Sequence, residues 1–284
     1  MEPKLERVEL SGGEVLFHQN DPGDAMYFVG SGRLQVSVED SDGNPKRIGE
    51  VMRGGIVGEM SILANEPLWA TVTALRDSVL IKLSKEVFEE VIDAYPKALV
   101  NISNRIIERL KYAHMPRKPI RKRPNICLLA LHEQIDLEQI GYELGQLLQQ
   151  KGSVYTASSP IADQVFQRNI AQATKTDSYD HWRLSNWLDE QELQHHFLIL
   201  LADKPDGHLS AWTQRCLRQA DEILLIADAQ QSYRLTEVEI QLQPTYLATK
   251  HKQTLVLLHS APTIPPIGCV TGPGFHSIII SGKG

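Results

Sequence analysis

Four polar residues follow short apolar runs in the second half of the chain: His132, Asp203, Asp228 and His259. Open α/β sheets bind ligands at the carboxyl ends of their strands, so these residues are the first place to look for chemistry. Asp and His also suit turns and helix caps, and that structural role is the expectation here. Glu192 and His195 share a helix face at i, i+3, with His196 beside them. The other ligands a metal needs are missing, so no metal is expected and the group reads as a solvated helix end. Cys127, Cys216 and Cys269 are odd in number and far apart, which fits neither a CxxC metal pair nor a disulfide framework. The apolar run Ile126–Leu131 leads into His132-Glu133-Gln134-Ile135-Asp136, without the glycines or lysine that let a loop cradle phosphate. Gly282-Lys283-Gly284 has no helix to follow it, and no G-x-S-x-G nucleophile turn is present. No nucleophile–base pair is visible, so no catalytic residue is assigned.

Charge points elsewhere. The 284 residues carry 29 Lys and Arg against 35 Asp and Glu, a formal net charge of −6, which argues against a nucleic-acid partner. The charge is uneven. Residues 1–114 hold 13 basic and 18 acidic side chains, and residues 125–284 hold 11 and 17. Between them 115–124, MPRKPIRKRP, hold five basic residues and no acid. Arg117, Lys118, Arg121, Lys122 and Arg123, spaced by prolines, read as an extended linker. A sharper reading is contact with anionic lipid headgroups, where each basic residue adds ~1 kcal/mol near the surface. Arg215 and Arg218, at i, i+3, are a second candidate contact, with a neighbouring domain. The N-terminus, MEPKLERVEL, is too polar for a secretory signal, and no apolar run reaches the ~18–20 residues of a membrane span. The expected location is the cytoplasm with reduced thiols, with peripheral attachment to the inner face of a membrane.

The length suggests two domains. Residues 1–83 are strand-rich, with turn signals at close intervals such as Asn20-Asp21-Pro22-Gly23 and Gly30-Ser31-Gly32. Ser84 can cap a helix, Pro96 interrupts it, and Leu99, Ile102, Ile106 and Leu110 mark a second helix. That stripe either packs on the strands or pairs with a second copy through residues 98–113. After Pro124, strands (126–131, 153–157, 197–202, 222–227, 254–258) alternate with helices (136–151, 160–173, 181–194, 209–220, 235–243). This alternation indicates a mostly parallel, Rossmann-like sheet with helices on both faces. The Pro- and Gly-rich tail beyond Ser260 reads as irregular. The expected organisation is thus 1–114, a linker 115–124, and an α/β domain 125–284.

Residues 13–32 (GEVLFHQNDPGDAMYFVGSG) and 54–74 (GGIVGEMSILANEPLWATVTA) resemble a cyclic-nucleotide-binding domain, an antiparallel β-roll with flanking helices. Gly13, Glu14, Phe17, Asn20, Asp21, Gly23, Asp24, Met26, Tyr27, Gly32, Gly55, Gly58 and Glu59 carry the resemblance. It implies a ligand pocket built from Gly58, Glu59, Met60, Ser61, Leu68, Trp69 and Ala70. In the family a Glu takes the ribose hydroxyl and an Arg takes the cyclic phosphate. Here Glu59 matches, but Leu68 stands at the Arg position, and 54–75 hold no other Arg. A buried anion without its partner costs several kcal/mol, so the expected cofactor is none and cyclic-nucleotide binding is not expected. The barrel reads as a scaffold; the alternative is a sensor of a cyclic nucleotide or other small ligand that relays binding through helices 84–114.

Arg183-Leu184-Ser185-Asn186-Trp187-Leu188, then Ser210-Ala211-Trp212-Thr213-Gln214-Arg215-Cys216-Leu217-Arg218-Gln219-Ala220-Asp221, then Leu255–His259 resemble the neuropathy target esterase family of patatin-like phospholipases. Glu66-Pro67-Leu68 resembles it too. The resemblance implies the region between the cyclic-nucleotide-like and catalytic domains, and a patatin-like catalytic domain, in cis or in trans, as partner. The family's G-x-S-x-G chemistry is missing here, so the expected role is regulatory or scaffolding and not catalytic.

Overall fold

The computed structural model describes residues 5–40, 43–113, 124–174, 178–231, 236–242, 252–259 and 275–281. The chain divides into two compact units, Met1–Lys122 and Arg123–Gly284.

The first unit contains β1 (Glu6–Leu10), β2 (Val15–Phe17), β3 (Ala25–Ser31), β4 (Arg33–Glu39), β5 (Pro45–Met52), β6 (Ile56–Val57), α1 (Glu59–Ala64), β7 (Thr71–Ala74), β8 (Ser78–Ser84), α2 (Lys85–Ala94) and α3 (Lys97–Ala113). The strands form two four-stranded sheets, β1-β8-β3-β6 and β2-β7-β4-β5, antiparallel throughout. Alternation sends one set of side chains inward. Val29, Leu34, Val57, Val72 and Leu80 therefore meet in one apolar core. Ser84 caps α2 by accepting from the Val87 amide at 3.4 Å. Pro96 lies between α2 and α3, where its ring cannot continue a helix. A second core joins Met26, Ile56 and Leu83 of the strands to Ile62 of α1, Phe88 of α2 and Ile102 of α3. Leu99 and Ile106 pack against it, so the described part of the α3 stripe faces the barrel.

The second unit contains β9 (Asn125–Ala130), α4 (Leu137–Gln149), β10 (Val154–Ala157), α5 (Ser159–Phe166), α6 (Ser178–Gln194), β11 (Phe197–Leu201), α7 (Ala211–Gln219), β12 (Glu222–Asp228), β13 (Lys252–His259) and β14 (Phe275–Ser281). Six strands form a parallel sheet in the order β10-β11-β9-β12-β13-β14. Residues on the two faces of the central strands enter two cores. Cys127 and Leu129 join Trp187, Trp212 and Cys216 on one side, and Leu128 and Ala130 join Leu137 and Ile199 on the other. The tail is a correction to the sequence reading. Residues 275–281 form β14 beside β13, because Phe275-His276-Ser277-Ile278-Ile279-Ile280 is itself an apolar strand run.

Candidate functional site

In the first unit, residues 54–75 wrap one end of the barrel. Gly58 precedes α1 with φ of 82°, and a Cβ there would stand 2.7 Å from the Ala25 carbonyl, so only glycine fits. A cavity of about 30 Å³ lies beyond it, lined by Phe17, Val36, Val57, Gly58, Glu59, Ser61, Leu68, Trp69, Ala70 and Val72. Six of the seven residues expected at a ligand pocket thus come together, and Met60 does not line the cavity. Glu59 is buried, at 3% exposure. Leu68 is 6% exposed, its side chain turned inward, while Trp69 is 47% exposed. The loop before β3 clasps this segment. Asn20 N donates to Leu68 O at 2.6 Å, Leu68 N donates to Asp21 O at 2.9 Å, and Gln19 N donates to Thr71 Oγ1 at 2.9 Å.

A volume near 30 Å³ holds about one water, whereas ligand pockets run to roughly 300 Å³ and more. On the far side of Phe17 and Leu68 a more open cavity of about 260 Å³ is lined also by Asp21, Pro22, Asp24, Ala25 and Tyr27. Burial pushes the Tyr27 phenol above its ordinary range. Phe17 and Leu68 line both cavities, and none of the lining residues is basic. Phe17, Val36, Val57 and Val72 escaped the sequence reading of the pocket, although strand alternation marks them as inward-facing.

The second unit places its polar strand ends differently. After β9, six residues (Leu131-His132-Glu133-Gln134-Ile135-Asp136) lead into α4. Ile135 is buried in the core, and the Asp136 carboxylate accepts from the Gln139 amide at 3.0 Å, on the positive end of α4. His132 Nδ1 accepts from the Asp228 amide at 3.3 Å, which ties β9 to β12. Asp203, after β11, accepts from Ser159 Oγ at the start of α5, from Ser210 Oγ at the start of α7 (2.5 Å), and from Gln172 Nε2 (3.0 Å). Its own amide donates to Thr213 Oγ1 at 3.0 Å. At the carboxyl ends of β9 and β11 the unit's own carboxylates, Asp136 and Asp203, therefore take the nearby donors.

Residues 7–95 match the cyclic nucleotide-binding domain family, and residues 124–271 match the "Neuropathy Target Esterase family P-loop like domain". The chain belongs to the neuropathy target esterase family. Mouse patatin-like phospholipase domain-containing protein 7 is 31% identical over 274 residues, 90% of this chain. Human patatin-like phospholipase domain-containing protein 6 is 28% identical over 278 residues, 91% of this chain. The neuropathy target esterase of Drosophila melanogaster is 28% identical over 268 residues, 90% of this chain. The chain spans about a fifth of the length of these relatives (18–20%). Among solved structures, the catabolite activator protein of Thermus thermophilus matches at 28% identity with a TM-score of 0.37, over 38% of this chain and 51% of that one.

Within this neuropathy target esterase family member, α7 corrects one expectation. Arg215 is not a surface contact: it is 1% exposed inside its own unit. Its guanidinium donates to Ser185 Oγ (3.0 Å), Ala173 O (3.0 Å) and His181 Nδ1 (2.9 Å). An amphipathic reading assigned it to a free face, but α7 is buried nearly all round, with Trp212 donating from its indole to Leu201 O at 2.8 Å. Arg218 is half-buried. Arg117, Lys118, Arg121, Lys122 and Arg123 lie outside the described residues. Glu192 accepts from Asn125 Nδ2 (3.2 Å), the His195 ring packs against Tyr155 at a tilt (5.1 Å between centroids) and His196 pairs with Ser153 Oγ (3.0 Å), so these three serve separate contacts. Among the described residues no group of three or more His, Cys, Asp or Glu could hold a metal. No described helix is long and apolar enough to cross a membrane.

Proposed function

We propose that this chain is a non-catalytic regulatory or scaffolding region of a patatin-like phospholipase, which positions or restrains a catalytic domain in cis or in trans. One observation carries the reading: Leu68, where the family resemblance calls for an Arg, lies buried beside Glu59 in a cavity of about 30 Å³. A phosphate brought there would lose its water and meet no cation, at a cost of several kcal/mol. The carboxyl ends of β9 and β11 add support, because Asp136 and Asp203 place negative charge where a phosphate would approach. The absence of a G-x-S-x-G turn from the sequence is consistent with chemistry performed by another domain.

A second reading has one observation in its favour. Ile62 of α1 shares a core with Phe88 and Ile102, so a ligand that moved α1 would be felt in α2 and α3. Calorimetry with cyclic AMP and cyclic GMP decides between them. The scaffold reading expects no binding at micromolar concentration; binding there overturns it in favour of a sensor. Membrane attachment through the basic segment 115–124 is tested by flotation with anionic liposomes. The wild type floats, and a variant with its five basic residues changed to Gln stays in solution. Equal flotation of the two overturns that attachment.

A further inference from the structure

Leu68 does more than an ordinary core leucine. Leu68 lines both cavities at the barrel end, and its main chain is held on both sides, by Asp21 O and by Asn20 N. One residue thus joins the loop before β3 to the segment after α1. The segment is tied back to α1 in turn. Glu66 N donates to Ser61 O at 3.1 Å, and Ser61 Oγ donates to Pro67 O at 3.2 Å. A Cβ on Gly23 would collide with Ser61, so the loop and α1 meet in close contact. From α1 the connection continues into the helices. Ile62 packs with Phe88 and Ile102, and Lys85 Nζ at the start of α2 donates to Asn65 Oδ1 at 2.6 Å.

We propose that the Leu68 side chain is a built-in plug, standing in the space a barrel ligand would need, and that it holds α1, α2 and α3 in one packed state without any ligand. The proposal rests on the ligand-free reading above and gives it a mechanism. A ligand shifts a conformational equilibrium only by its differential affinity for the two states. A plug that belongs to the chain is present at unit stoichiometry in every molecule, so the packed state is set by sequence and not by metabolite level. Removing the plug leaves a void beside Val57, Ala70 and Glu59. Packed interiors fill such voids only in part. The short element beside that void is α1, six residues long, with Glu59, Ser61 and Ile62 buried. Movement of α1 withdraws Ile62 from Phe88 and Ile102, so α2 and α3 loosen before the sheets do.

Hydrogen exchange on the full chain, read by mass spectrometry, tests this. Leu68→Ala is expected to speed exchange in 59–64 and 85–107 at least tenfold more than in β4 and β5. Leu34→Ala, an equal truncation of a fully buried barrel leucine that lines neither cavity, is expected to act most on β4 and β5. If Leu68→Ala speeds sheets and helices alike, or leaves the helices unchanged, the plug is overturned. Should Leu68→Ala not fold, Leu68→Val is expected to show the same selectivity at smaller amplitude, and uniform exchange in it overturns the plug equally. Cyclic AMP and cyclic GMP are added to the wild type as a separate arm. Protection of the barrel end by either nucleotide overturns the ligand-free reading, whereas a missing helix response in the Leu68 variants overturns the plug alone.

Discussion

The barrel end and the carboxyl ends of the parallel strands are built with opposite chemistry. The barrel uses an apolar side chain: Leu68 lies buried beside Glu59 in the small cavity. The sheet uses anions of its own: Asp136 on the α4 terminus, and Asp203 between the starts of α5 and α7. The consequence is a difference in what holds each unit. The barrel end depends on packing and main-chain bonds, and the carboxyl ends of β9 and β11 on charge-assisted side-chain bonds, which are roughly twice as strong as neutral ones. Perturbations of polar groups should therefore separate the two units.

The largest effect is expected at Arg215. Arg215→Ala removes at least three hydrogen bonds and leaves Ser185, His181 and the Ala173 carbonyl short of a donor. Hydrogen bonds from a charged donor contribute about 1.5–3 kcal/mol each, so losing these together costs several kcal/mol. Urea unfolding followed by hydrogen exchange should show 124–231 opening at lower urea while β3, β4 and β8 keep their midpoint. A common shift of both units would break the comparison. Asp203→Ala comes next. It deletes an acceptor shared by Ser159, Ser210 and Gln172, and hydrogen bonds to a charged group contribute about 1.5–3 kcal/mol. Peptides from α5 and α7 should lose protection together, because a single carboxylate joins their starts. Loss confined to one helix would refute a shared anchor.

Alkaline pH should divide the units next. Burial pushes the Cys127 thiol from its ordinary 9.0 up to about 12, and burial likewise raises Cys216 well above that ordinary value. The folded unit keeps both thiols protonated, while the unfolded chain ionises them near pH 9. The stabilisation is complete below pH 9 and falls as pH rises toward about 12, by about 1.4 kcal/mol per thiol for each pH unit. The barrel has no cysteine. The urea midpoint of the second unit should therefore fall faster between pH 8 and 10, and a Cys127→Ala/Cys216→Ala variant should remove the excess slope. An unchanged slope in that variant would assign the alkaline loss to other groups.

Much of this was legible in the residues, and the exceptions have physical causes. Turn signals marked 1–83 as strand-rich, and the Gly58-Glu59 and Leu68 positions placed the pocket end of the barrel. The apolar runs after Pro124 located the inner strands of the sheet. What escaped depended on who packs against whom. Arg215 looks exposed when α7 is drawn as a helix with one apolar face, because a sequence does not show that α6 supplies His181 and Ser185 to a second face. β14 was hidden because a Pro- and Gly-rich stretch precedes it, and only β13 makes 275–281 a strand. Phe17 belongs to the pocket through a pairing with β7, which spacing along the chain does not reveal. Asp203 was visible as a strand-end polar residue, but its three donors come from positions 31 to 44 residues before it and 7 after it.

The smallest effect, at Asp136, discriminates most finely between the two ways of filling a site. Its carboxylate is solvent-facing and accepts from Gln139 N, so Asp136→Ala should cost only about 1 kcal/mol, as expected of a helix N-cap. If the carboxylate stands where an anion would otherwise sit, the variant should regain part of that loss in sulfate or phosphate, beyond what the wild type gains from the same salt. The barrel offers the contrast. Leu68→Ala should gain nothing from phosphate, because truncating an apolar plug creates space but no cation. The measurement is the urea midpoint of each unit in matched ionic strengths of chloride and sulfate. An equal sulfate response in wild type and Asp136→Ala would mean that the β9–α4 loop, with Ile135 buried in its middle, excludes anions by shape, and that the carboxylate merely caps the helix.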